Sequence, residues 1–348
     1  MKKIILVLLL LFFSLKSSSQ IVELATGLVD PGRITLNGTD LYYTDDDNVF
    51  KIDLLETNPT SQLLASGLDN PNGLTVKDNE LYIAEFDGYR ISKINLNDPN
   101  YTVQLVSEPI NRPNFMLWRG DELFWSNNTS SYVGKLTINE GNVSTDLVAA
   151  ATSGFTPFGI AFLNDTTLYI ANYSTNTLDV INPTEQSITP TQFMTGFQKP
   201  FGLRMYGTTL YIVEQDAGKI SAIDFSVSNP SVIDVLTGLN KPLDIEVDDN
   251  YLYIIEENPN RVIRSGNILS VNEFDNDNLR IHPNPTNDKL TINGIKNPIK
   301  YSITDISGKL ILEGNLTNFE NIIEVIELQS GVYFLVLNQS KPMRFIKN

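Results

Sequence analysis

The chain has 348 residues with 25 Lys+Arg against 41 Asp+Glu, a net charge of −16, no cysteine and one histidine. Without cysteine there is no disulfide framework, no thiolate metal site and no lipidated cysteine at a leader cleavage point, and a single histidine rules out histidine-paired catalysis across most of the chain. The acidity is concentrated: residues 20–278 hold 14 Lys+Arg against 35 Asp+Glu, a net of −21, whereas residues 279–348 hold 8 against 6, a net of +2. A body this acidic repels phosphate backbones, so nucleic acid is not an expected partner.

Residues 1–19 read as a secretory signal peptide. Lys2 and Lys3 precede the apolar run Ile4 to Phe13, and Ser17-Ser18-Ser19 supplies small residues before Gln20, which places cleavage between Ser19 and Gln20. About ten apolar residues are too few for a bilayer that needs roughly twenty. No later run is longer, so no transmembrane segment is expected.

Residues 20–270 are built on a repeat. Pro31, Pro71, Pro113, Pro157, Pro200 and Pro242 are each followed by a Leu-Tyr or Leu-Phe pair: Leu41-Tyr42, Leu81-Tyr82, Leu123-Phe124, Leu168-Tyr169, Leu210-Tyr211 and Leu252-Tyr253. Successive prolines lie 40 to 44 residues apart, and turn residues cut each unit into four short strands, which predicts an all-β, six-bladed propeller. Three residues after each proline stands an apolar residue (Ile34, Leu74, Met116, Ile160, Leu203, Ile245), and another follows two further on. Period two places both on one face of the first strand, against the neighbouring blade. The segment Ile21 to Leu28 matches the fourth strands but precedes the first proline, while the last unit loses the pattern after Arg264. The N-terminal strand is therefore expected to complete the sixth blade and remove its open edge. The pattern P-x-G-apolar followed by L-Y resembles six-bladed propellers of the NHL, regucalcin/gluconolactonase and low-density-lipoprotein-receptor type. The resemblance implies the fold over residues 21–266 and leaves the activity open.

Residues 271–278 are a polar, acidic linker. Residues 279–348 carry Arg280-Ile281-His282-Pro283-Asn284-Pro285, then Leu290-Thr291-Ile292, Asp305-Ile306-Ser307-Gly308-Lys309, Gly331-Val332-Tyr333-Phe334-Leu335 and a terminal Arg344 to Lys347. The motif residues Pro283, Asn284, Pro285, Asp305, Gly308, Gly331, Tyr333 and Lys347 resemble the type A C-terminal sorting domain of the type IX secretion system of Bacteroidetes. That resemblance implies a small Ig-like β-sandwich that engages the type IX machinery and its sortase, leaving the cargo secreted or attached at the outer-membrane surface. Strand alternation and the Asp-x-x-Gly turn independently fit a small β-sandwich. A monomer is expected.

Two rings of side chains are expected at one mouth of the propeller channel. The residue after each proline gives Gly32, Asn72, Asn114, Phe158, Phe201 and Leu243; Asn72, Asn114, Phe158, Phe201 and Leu243 are the candidate ligand-binding residues. The end of each Leu-Tyr strand gives Asp45, Glu85, Asn127, Asn172, Glu214 and Glu256, with Arg33, Arg204 and Lys219 as ion-pair partners. Asn72, Glu85, Glu214 and Glu256 are the candidate ligands of a divalent cation such as Ca²⁺, since hard cations take oxygen donors. The resemblance to gluconolactonases implies such a cation held by Asn, Asp and Glu; here Phe158, Phe201 and Leu243 occupy half the ring, and Asp244 stands one residue out of register. The only histidine, His282, lies in the tail, which separates this chain from histidine-dependent streptogramin lyases. These residues predict an exported binding module for an extracellular ligand, with no catalytic residue assigned; the alternative is a divalent-cation-dependent hydrolase or lactonase.

Overall fold

The computed structural model describes residues 21–139, 142–151, 153–185, 188–266, 280–293, 299–305, 309–317, 321–337 and 343–348. The expected leader with Ser19 and Gln20, the linker 271–278 and Gly308 lie outside the described residues. The chain divides into two compact units, one up to residue 267 and one from residue 268.

The first unit consists of six four-stranded antiparallel sheets. The innermost strands are Pro31–Asn37, Pro71–Lys77, Met116–Arg119, Pro157–Asn164, Pro200–Tyr206 and Pro242–Val247. Each touches the next, and the sixth touches the first, so they close a ring around an axis. The second strands are the Leu-Tyr segments, such as Asp40–Asp45 and Glu80–Glu85. Strong β-formers alternate along them, and their apolar side chains are buried on both faces. Between blades the packing is the one the repeat implies. Leu74 of the second blade's inner strand packs with Tyr42, Val49 and Leu64 of the first blade. Met116 packs likewise with Tyr82 and Ile91, and Leu203 with Tyr169 and Leu178.

The sixth blade runs in the order Val22–Thr26, Arg261–Gly266, Tyr251–Glu256, Pro242–Val247. The N-terminal strand thus supplies its outermost member, with Val22 opposite Arg264 and Thr26 opposite Arg261. Leu24 is buried, and Arg261 Nη1 donates to Glu23 Oε1 at 2.7 Å. The Leu28 amide bonds to the Asn260 carbonyl at 3.2 Å and fastens the segment beyond the strand. The ring is closed by joining its two ends within one sheet.

In five blades the inner strand carries a bulge just after the proline: Pro31 lies opposite Asp45, yet Ile34, three residues on, lies opposite Tyr43, only two back. The extra residue re-aims the side chains next to the proline.

The second unit has a three-stranded sheet (Arg280–His282, Lys289–Asn293, Ile322–Glu324) and a four-stranded sheet (Leu310–Leu316, Ile299–Asp305, Gly331–Leu337, Met343–Lys347). Leu290, Ile292 and Ile323 from the first share one core with Ile303, Leu335, Leu337 and Phe345 from the second. The motif residues build this unit. Asn284 accepts the Ile346 amide at 3.0 Å and donates to the Arg344 carbonyl at 3.1 Å, stitching the Pro-Asn-Pro segment to the last strand. Asp305 caps its turn by accepting the Lys309 amide at 3.1 Å. Tyr333, two residues after Gly331, stacks on Phe345 and donates to the Gln329 carbonyl at 3.0 Å. Lys347 is buried with its Nζ on the Asn348 carbonyl.

Candidate functional site

Counting two residues past each proline gives Arg33, Gly73, Phe115, Gly159, Gly202 and Asp244. These positions face the axis. Arg33 of the first blade donates through Nη2 to Asn114 Oδ1 of the third at 2.9 Å, and its guanidinium lies 4.0 Å from the Phe115 ring centre and 4.8 Å from that of Phe201 in the fifth. Side chains of the first, third and fifth blades meet only at the centre of the ring. The glycines mark where neighbouring inner strands come too close for a side chain: a Cβ on Gly73 would sit 2.0 Å from the Asn114 carbonyl oxygen, and one on Gly159 2.5 Å from the Leu203 nitrogen.

Arg33 is 3 % exposed and so is a cation buried at the axis. Its neutralising partner is Asp244, also buried, whose Oδ2 accepts the Ile34 amide at 3.2 Å and whose Oδ1 accepts the Ile245 amide at 2.9 Å. Burial pushes the Asp244 carboxyl up to about 6, with the Arg33 charge opposing the rise, and burial lowers Arg33 to about 10. Beneath this pair, on the proline side, the aromatic rings pack shut. Phe158 stacks on Phe201 at 4.3 Å between centres, Phe115 meets Phe201 edge-on at 5.9 Å, and Tyr173 lies 5.1 Å from Phe158.

Above it lies a cavity of about 400 Å³, lined by Arg33, Asp244, Thr75, Leu117, Arg204 and Glu246 among others. It extends to Gly207, in the turn between the first two strands of the fifth blade, at the end away from the prolines. Arg204 and Glu246 stand four residues after their prolines, on the same side of their strands as Arg33 and Asp244. Arg204 Nε lies 2.9 Å from Glu246 Oε2. The contact is an ion pair with poor hydrogen-bond alignment, since neither atom has a well-directed partner. The Glu246 side chain is 4 % exposed and that of Arg204 32 %. Burial raises the Glu246 carboxyl to about 7; Arg204 opposes the rise and the Asp244 charge adds to it. Two carboxyls displaced this far in one cavity mark a functional-site candidate.

The expected mouth residues take a different place. Asn114, Phe201 and Leu243 are buried, and Asn72 and Phe158 are half-buried. They lie on the proline side of Arg33: Asn114 holds Arg33, Phe201 supports it, and Asn72 donates to Asn70 Oδ1 at 3.0 Å. In the five bulged blades the bulge explains the shift, because period two no longer carries through to the proline.

The second ring seals loops. Asp45 accepts the Val29 and Asp30 amides at 2.8 Å, Glu85 that of Asp69 at 3.0 Å, Asn172 that of Thr156 at 3.1 Å, Glu214 that of Gln198 at 2.9 Å and Glu256 that of Asn240 at 2.6 Å. Asn127 caps its own loop at Thr129 and Ser130. The paired cations come from five residues along: Arg90 Nε on Glu85 at 2.8 Å, Lys219 on Glu214 at 3.2 Å and Arg261 Nε on Glu256 at 2.6 Å. Burial alone would raise Glu85, yet Arg90, Ser92 and the Asp69 amide hold it below the usual carboxylate range. Of the expected partners only Lys219 pairs with this ring; Arg33 and Arg204 serve the channel. A gluconolactonase-type cation does not fit these donors. Glu85, Glu214 and Glu256 are each pinned inside separate blades, and no three His, Cys, Asp or Glu converge among the described residues.

Sequence reasoning missed Arg33, Asp244, Arg204 and Glu246 as a group. Their signal is columnar: they are the charged residues at positions that elsewhere in the repeat hold Gly, Phe, Thr, Leu or Ala.

Residues 280–347 match the secretion system C-terminal sorting domain. The tail is a sorting domain. It directs export through the type IX system, which leaves the protein secreted or at the cell surface. The sequence matches no curated protein. Solved structures share the propeller fold. A catalytically inactive histidine-to-alanine variant of virginiamycin B lyase from Staphylococcus aureus, with quinupristin, superposes at TM-score 0.51 and 18% identity over 68% of this chain and 80% of that one. The nidogen/laminin complex gives 0.56 and 15% over 67% and 91%. A Bacteroides thetaiotaomicron protein of unknown function gives 0.56 and 13% over 71% and 72%. Among the described residues no helix is long and apolar enough to cross a membrane.

Proposed function

We propose that this chain is an exported binding protein that takes a small molecule into its central channel from the end away from the prolines. The observation that carries the reading is a cavity of about 400 Å³, floored by Arg33 and the packed phenylalanines and walled by the Arg204–Glu246 pair. A concavity of this size in which a few charged groups converge is what many small-molecule sites have in common. Asn72, Asn114, Phe158, Phe201 and Leu243 contribute by building the floor.

The shared fold does not choose the activity, since it serves both a lyase structure holding quinupristin and the nidogen/laminin complex. The lyase is inactive when a histidine is replaced, and this chain has no histidine between residues 21 and 266. The cation-dependent lactonase reading is weaker because its oxygen donors are already committed to loop amides and ion pairs. Titration of the protein with Ca²⁺ is expected to show no stoichiometric site that Asn72→Ala abolishes.

A library of small polar metabolites, screened by calorimetry, tests the channel. Leu163 lines the cavity and is half-buried at the edge of the core between the fourth and fifth blades, so Leu163→Trp narrows the cavity at some cost in packing. We expect bound compounds to lose about tenfold or more in affinity in that variant while its sheets stay intact by circular dichroism. Affinities indifferent to Leu163→Trp would overturn the assignment.

A further inference from the structure

We propose that Arg204 is an anchor for a carboxylate, so that the channel selects small organic acids; this rests on the channel reading above. Two arginines of the outer hairpins show what full pairing looks like. Arg90 serves both Glu85 and Asp69, and Arg261 both Glu256 and Glu23. Arg204 has a single contact, through Nε, to Glu246. Its two terminal nitrogens have no partner among the described residues, although the side chain is two-thirds covered and lines the cavity. A half-covered guanidinium with its forked edge unused is the donor that a carboxylate fits in bidentate fashion. Beside it Leu117, four residues after its proline and so on the axis side of its strand, is a half-buried apolar side chain that brings no second charge to the anchor.

Glu246 tunes the anchor. Its ionised form occupies the charge of Arg204, and its protonated form leaves that charge to a ligand. The groups facing Glu246 are Arg204 from the fifth blade, Thr35 and the Leu36 amide from the first, and Asp244 two residues back on its own strand, itself opposite Arg33. Arg33 already balances Asp244, so the free balance of the cavity is set by Arg204 and Glu246. An incoming anion therefore favours protonated Glu246, and binding takes up a proton.

The test uses the whole protein, titrated calorimetrically with benzoate and 3-phenylpropionate, and in parallel with benzamide and benzylamine. We expect the acids to bind and the amide and amine not to. Affinity for the acids should rise several-fold from about pH 8 to about pH 6, with proton uptake visible as a dependence of the heat on buffer. Arg204→Met should cost about tenfold or more, as the loss of a charge-assisted pair does. Glu246→Gln should raise affinity at about pH 8 and flatten the pH profile; a gain of binding cannot come from misfolding. Benzylamine binding as tightly as the acids, acid binding untouched by Arg204→Met, or Glu246→Gln weakening the acids would each overturn the proposal. If another class of compound binds and Leu163→Trp blocks it, the carboxylate assignment falls and the channel site stands.

Discussion

Arg33 carries the channel floor. It is buried, stacked on Phe115 and Phe201, bonded to Asn114 and set against the equally buried Asp244. Removing one member of a buried charge pair strands the other, so Arg33→Ala should cost roughly 3–5 kcal/mol in denaturant unfolding. Arg33→Ala/Asp244→Leu should recover part of that loss. The raised carboxyls give stability a pH dependence with a definite sign. Glu246 at about 7 and Asp244 at about 6 bind protons more tightly folded than unfolded. Their contribution is whole below the ordinary carboxylate range and fades as pH rises through about 6 to about 7. Glu85, held low, works in reverse and loses its contribution only in acid. The melting temperature should therefore peak in the mildly acidic range, and Glu246→Gln should remove roughly 1–3 kcal/mol of the decline toward neutrality. The sequence announced the ring of residues after the prolines but misplaced its role. Nothing in the residues after the prolines betrays a bulge, and in the sixth blade the bulge decides whether Leu243 or Asp244 reaches the axis.

At the scale of elements, the inter-blade packing of Leu74, Met116 and Leu203 was legible because period two is a direct consequence of the pleat. So was the N-terminal strand's partner: a fourth-strand pattern with no blade in front of it has one free edge to fill. Its register was not legible, since the bulge between Glu23 and Ala25 leaves no mark in composition. Deleting Val22–Thr26 exposes the edge of Arg261–Gly266, unburies the Leu24 site and frees Arg261 from Glu23. Losing one apolar anchor and several ladder bonds should lower the melting temperature by roughly 10 °C or more. A deletion variant with unchanged melting would show that the strand is trim and not closure. The second-ring carboxylates accept amides of the loop that precedes their blade's first strand, contacts about sixteen residues apart that no local pattern shows. Their cations were misassigned, because Arg90 and Arg261 become neighbours of Glu85 and Glu256 only once the hairpin pairs residue i with i+5.

The whole molecule joins an acidic propeller to a tail whose sequence states its errand. Removing residues 280–347 should keep the protein from the medium and the cell surface, detectable by fractionation, while leaving the propeller's sheets intact by circular dichroism. The tail was the most legible part, because its motif residues, from Asn284 to Lys347, hold its own two sheets together and are therefore fixed in order and spacing. The ligand was the least legible, because the cavity draws one residue from each of several repeats and no single repeat contains it. The most direct test is a crystal soaked with 4-iodobenzoate, whose iodine is located by anomalous scattering. The account predicts a peak inside the ring, with the carboxylate on Arg204 and the iodophenyl group within the cavity beside Leu117. A peak confined to the proline face beside Phe158 and Asn72, or none within the ring, would contradict it.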